Sequence, residues 1–175
     1  MIAVKRLALF LSAAVLLLAG CGYHVAGTVD ALPKNVKTIA IPAFANTTIR
    51  YKLGDQMAAA LTREFIARSR YRIVADPSEA DAVLSGSVIN FFAYPTVFDP
   101  TTSRAAGVQA IVQLQVTLRD HASNKVLFSR PHMDFRQNYE ISTDAATYFD
   151  ESSMAMDRLS RDLARSVVSA ILENF

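Results

Sequence analysis

Tryptophan is missing from the 175 residues, histidine occurs three times and cysteine once. A single thiol can form no internal disulfide and no cysteine-rich metal site, so the fold must rest on packing. His24, His121 and His132 have no second ligand at metal spacing. Also missing are the G-x-S-x-G elbow, the H-E-x-x-H helix, the phosphate loop and the dinucleotide fingerprint. The carboxylates fall mostly where helix faces carry solvated charge, and Asp150 and Glu151 suit a helix N-terminus better than acid–base chemistry. These absences argue against an enzyme and leave no cofactor to expect. The six glycines and six prolines are scattered singly, without a low-complexity stretch or a fixed-period repeat. Apolar residues make up 51% of the chain, enough for one core of ordinary domain size.

An excess of one charge is lacking too, although the whole chain suggests otherwise with 18 basic residues, 16 acidic ones and a pI near 8.8. Lys5 and Arg6 precede an uncharged apolar run, Leu7 to Leu18, that ends in small residues, which is the pattern of a secretory signal. The run is shorter than the roughly 20 residues that a membrane-crossing helix needs. Removal of residues 1–20 leaves 16 basic against 16 acidic residues, with no surplus to neutralise nucleic-acid phosphates.

What is present begins where that run stops. Leu18-Ala19-Gly20-Cys21 resembles the bacterial lipobox, whose cysteine is alkylated with diacylglycerol before cleavage and acylated on its new amine. Cys21 is therefore expected to carry a membrane anchor. Two or more acyl chains hold firmly, since each buried methylene contributes about 0.8 kcal/mol. Gly22 is not the aspartate that tends to retain lipoproteins at the inner membrane of enteric-type bacteria. The chain divides into a signal peptide at 1–20, a lipidated N-terminus and tether at 21–35, and a single domain at 36–175.

The domain reads as α+β, with two helices packed on one face of a mixed four-stranded sheet. Val36, Ile39 and Ile41 with Pro42 mark a short strand. Met57, Leu61, Phe65 and Ile66 recur at helical spacing in a segment with Asp55 in its first turn and Arg68 and Arg70 near its end. A brief strand, YRIVAD, returns parallel to the first. A longer strand runs from about Ala82 to Tyr94, with Gly86 marking a bulge or a close approach. In VQAIVQLQVTLRD, Val108, Ala110, Val112, Leu114, Val116 and Leu118 alternate with a mostly polar set, as in a half-buried antiparallel strand. The returning strand from Val126 contains Pro131, which suggests an edge or a bulge. The chain closes on a long helix whose Met156, Leu159, Leu163, Val167, Ala170 and Ile171 oppose Asp157, Arg158, Arg161, Asp162 and Arg165.

Two features suit contact with a partner. The segment FFAYPTVFDPTTSRAAG gathers Phe91, Phe92, Tyr94, Val97 and Phe98 around Pro95 and Pro100, as a proline-stiffened loop for a protein wall or acyl chains, or as the end of the core. Arg104 is its single cation, placed to bind a phosphate or carboxylate or simply to solvate the loop. Gln109, Gln113 and Gln115 form a polar stripe that is an ordinary wet face or the complement of a polar lumen.

CGYHVAG, LPKNVKTIAIPAFANTT, ADAVLSGSV and the run from Asp144 to Phe175 together resemble the LptE family of lipopolysaccharide-assembly lipoproteins. IAIPAFANTT and ADAVLSGSV also resemble TolB-like and other envelope lipoproteins. The LptE resemblance implies a non-enzymatic outer-membrane lipoprotein, lipid-anchored on the periplasmic side. Such a protein sits in the lumen of the β-barrel LptD, helps it fold and assists delivery of lipopolysaccharide to the outer leaflet. It carries over one functional residue, Cys21. Phe91, Phe92, Tyr94, Phe98, Arg104, Gln113 and Gln115 are candidate lipopolysaccharide or barrel contacts on composition and position alone. The competing reading is an accessory lipoprotein of another envelope transport or polysaccharide-export complex.

Overall fold

Strict alternation decides the centre of the sheet. Along β5 (Ala105–Asp120) the even-numbered residues from Val108 to Leu118 are buried, while the odd-numbered ones between them stay partly or wholly exposed. One face of this strand is covered and the other is open. The computed structural model describes residues 32–142 and 151–173, so Cys21, most of the tether and Asp150 lie outside the described residues.

β5 lies between β4 (Ala82–Phe98) and β6 (Val126–Glu140), antiparallel to both. On the other side of β4 come β1 (Thr38–Ala40) and, further along the same edge, β2 (Ala45–Asn46), both parallel to β4. β3 (Arg72–Val74) pairs in parallel with β1, as the strand–helix–strand pattern predicts, and forms the far edge. The sheet thus has six strands rather than the expected four, in the order β3-β1-β4-β5-β6 with β2 beside β4. Part of the difference lies where the first segment is interrupted. From Ala40 to Ala45 the chain takes five steps while β4 takes four, from Val83 to Ser87, and Pro42 within that stretch has no N–H for a ladder. Pro131 falls on the other edge strand, where the register shifts between Met133 and Arg130, so it marks both an edge and a bulge.

Both helices, α1 (Leu53–Arg68) and α2 (Ser152–Glu173), pack on the face that carries Val112, Leu114 and Leu118, and their side chains form one cluster with it. Met57, Leu61 and Phe65 of α1 are buried, whereas Ile66, expected on the same stripe, is 63% exposed. One residue past Phe65 the helix has turned by about 100°, which carries Ile66 off the core side. On α2, Met156, Leu159, Leu163, Val167 and Ile171 are buried and Ala170 is partly so. Arg68 fastens the helices together at one end: its guanidinium lies 2.8 Å from Ser169 Oγ, 3.3 Å from Glu64 and 3.7 Å from Glu173. Gly86 marks a close approach, because a Cβ there would overlap the Phe44 ring.

Candidate functional site

β4 begins beside β1, where Ala82 pairs with Ile39, and runs 17 residues away from it. At about 3.3 Å per residue its far end lies roughly 55 Å from the start. Only the first half is helix-backed in the ordinary way: Ala82, Leu84 and Val88 are buried, and from Ile89 onward no residue of β4 is.

The change is made by one extra residue. Val88 pairs with Leu114 and Asn90 with Gln113, so Ile89 is a bulge, and the alternation of β4 flips there. Phe91, opposite Val112, is thereby turned to the helix side, where it packs against the core under the Arg50 guanidinium, 5.1 Å from the ring centroid. Asn90, Phe92 and Tyr94 pair with Gln113, Ile111 and Gln109 and share the open face with them. The Phe92 and Tyr94 rings stack with centroids 6.0 Å apart. Two amide pairs flank them: Asn90 Nδ2 donates to Gln113 Oε1 at 2.9 Å, and Gln109 Nε2 donates to Asn138 Oδ1 at 3.0 Å. Asp134 and Arg136 of β6 pair with Gln113 and Ile111 and extend the face to the edge. Gln115 is exposed opposite the Pro131 bulge.

The aromatic segment expected to be a loop is therefore mostly strand, with 82–98 forming one arm of a hairpin and 99–104 its turn. Cross-strand pairing with residues 105–113 satisfies its backbone, which the prolines alone had argued against. The Asp99 carboxylate accepts from the N–H groups of Thr101 and Thr102 and from the Thr102 hydroxyl, Asp99 N–H donates to the Arg104 carbonyl at 2.9 Å, and Ser103 takes a positive φ of 56°. Arg104, Val97 and Phe98 all end up exposed at this tip.

A second apolar projection stands beside the middle of β4, on the loop that follows β2. The sequence ANTTIRYKLG, residues 45–54, reads as a polar turn, yet Ile49 is 86% and Tyr51 76% exposed. Asn46 builds the platform: its Nδ2 donates to the Arg50 carbonyl at 2.7 Å, and its Oδ1 accepts from the N–H and hydroxyl of Thr48. The loop walls a cleft of about 250 Å³ with Gln56 of α1 and Met156 of α2. Two large apolar residues inside an otherwise polar NTTIRYK were the available signal.

At the opposite end the chemistry is structural. Asp81 Oδ2 accepts from the N–H groups of Lys37 and Thr38 and from Thr38 Oγ1, while Asp81 N–H donates back to that hydroxyl. These bonds hold the Asp81 carboxyl below its ordinary value of 3.8, the backbone N–H of Lys37 contributing most. Asp120 is lowered chiefly by the Ser123 N–H. His121 begins the β5–β6 turn and His132 is exposed on β6, while His24 lies outside the described residues. Among the described residues no three His, Cys, Asp or Glu side chains gather as a metal site, and no helix is long and apolar enough to cross a membrane.

A half-open mixed sheet backed by two helices, with its hairpin extended past them, is an α+β architecture shared with bacterial lipoproteins. The solution structure of lipoprotein B from Nitrosomonas europaea superposes with a TM-score of 0.53 at 14% identity, over 86% of this chain and 90% of that one. The PelC dodecamer from Paraburkholderia phytofirmans gives 0.51 at 16% identity, over 81% and 91%. No curated protein has a matching sequence. The sequence model of the LptE lipopolysaccharide-assembly family matches residues 36–171, and the chain belongs to that family.

Proposed function

We propose that this protein is a non-enzymatic outer-membrane lipoprotein, anchored through Cys21 on the periplasmic side. It seats in the lumen of the β-barrel LptD, helps assemble it and assists delivery of lipopolysaccharide to the outer leaflet. Family membership supports the assembly role. The open face of β4–β5–β6 carries the finer reading: its paired amides offer a hydrogen-bonding surface to a polar lumen, and the Phe92–Tyr94 stack supplies apolar area within it. The described chain starts at the β1 end, and the hairpin tip, with Val97, Phe98 and Arg104, lies at the far end of β4 from it.

Purification of the lipidated protein from its own membranes in mild detergent tests this, with co-purifying proteins identified by mass. Recovery of a large outer-membrane barrel near one to one is the expected result. Recovery of inner-membrane transport or polysaccharide-export components instead would overturn the plug and favour an accessory lipoprotein.

A further inference from the structure

The end of the molecule where the described chain begins holds a pocket of about 340 Å³ that the proposed function leaves unused. Leu32 and Val36 of the entry segment and Tyr71 before β3 form its apolar side, and all three are buried in the core. Pro33, Lys34, Lys37 and Arg70, the last of which is already engaged in an interaction of its own, complete the lining, which among the described residues contains no carboxylate. Asp81 lies near Lys37 and its charge attracts the Lys37 ammonium, while its Oδ2 accepts three hydrogen bonds, from the N–H groups of Lys37 and Thr38 and from the Thr38 hydroxyl. Burial raises the Tyr71 pKa, which keeps the phenol neutral. An apolar wall with three cations around it, in the size range of small-molecule sites, suits an amphiphilic anion.

Position narrows the choice of anion. Leu32 is eleven residues beyond Cys21, a reach of at most about 40 Å of extended chain. With Cys21 lipidated, the pocket is confined to the neighbourhood of the leaflet that holds the anchor. We propose that it seats the headgroup of an anionic glycerophospholipid of that leaflet, with the phosphodiester among Lys34, Lys37 and Arg70 and the glycerol against Leu32, Val36 and Tyr71. The proposal rests on the lipid-anchored reading of Cys21 and is independent of the barrel and of lipopolysaccharide. A headgroup bound there is a second attachment besides the acyl chains, and it sets the pocket end of the domain against the membrane.

The test uses the full lipidated protein in mild detergent, titrated with dihexanoylphosphatidylglycerol and followed by native mass spectrometry. The same spectra report the acylation of Cys21. The expected result is one bound lipid per chain, weakened about fivefold per cation removed in Lys34→Ala/Lys37→Ala. Lys34→Arg/Lys37→Arg should bind as the parent protein does. Equal binding by the alanine variant overturns the proposal. So does displacement of the lipid by inorganic phosphate at similar concentration, which would make this an anion site only, or by lipopolysaccharide, which would make it a lipopolysaccharide site. Barrel co-purification is scored separately: a bound lipid without a barrel defeats the plug and leaves the pocket, and a barrel without the lipid does the reverse.

Discussion

The two halves of the β4–β5 ribbon share one strand geometry and differ in what lies against them. Near β1, Leu84, Val88, Leu114 and Leu118 are fully buried beneath the helices. Past the Ile89 bulge, Phe92, Tyr94, Val97 and Phe98 of β4 are exposed, although three of them are aromatic and none is charged. Composition therefore does not decide burial here; register and the reach of the helices do. On β5 burial continues past the bulge through Val112, Ala110 and Val108, so it is the β4 arm of the second half that is left with surface to offer a partner.

The largest expected contrast between the halves is in stability. Leu118→Ala empties a fully buried site and should cost about 2–5 kcal/mol in denaturant unfolding. Phe92→Ala in the extended half should cost less than about 1 kcal/mol and act on barrel co-purification instead. Equal costs would show the hairpin to be part of the core. Gly86→Ala comes next, at about 1–3 kcal/mol, because its Cβ overlaps the Phe44 ring, and a Phe44→Leu background should relieve part of that cost.

Smaller effects come from the polar groups. Asp81→Ala should cost about 1 kcal/mol, at the low end for a multiply bonded carboxylate because solvent reaches it. The folded-state pKa of Asp81 lies below its unfolded value, so its contribution is complete above pH 3.8 or so. It is lost as pH falls through the lower folded value, and Asp81→Asn should flatten that acid-side slope in unfolding curves. Gln113→Lys/Gln115→Lys should shift stability by no more than about 0.5 kcal/mol while reducing barrel recovery. An undiminished pull-down would remove the open face from the proposed contact. Arg104→Glu at the tip should leave unfolding unchanged and lower lipopolysaccharide binding; wild-type binding and barrel assembly together would dismiss Arg104.

Much of the architecture was legible along the chain because its determinants are local. The six alternating apolar residues of β5 and the spaced apolar residues of α2 announce their elements before any partner is known. Pro131 announced the edge in the same way, through a missing N–H. Phe91 and Phe92 show the limit, since two adjacent phenylalanines suit either face and only the bulge opposite Gln113 and Leu114 sends one to the core and one outward. The exposed Ile49 and Tyr51 were likewise hidden, because their projection depends on Asn46 and on the Arg50–Phe91 contact between distant segments.

Periodicity, the lipobox-like end at Cys21 and the lack of catalytic motifs belong to single stretches of chain, and reading the residues in order suffices for them. Strand count, the flip at Ile89, the open amide face and the cationic pocket beside Tyr71 each join residues far apart in sequence. They exist only once strands have paired and helices have covered one face. Pairing register is a property of two segments at once, and a shift of one residue exchanges everything that faces the core for everything that faces a partner.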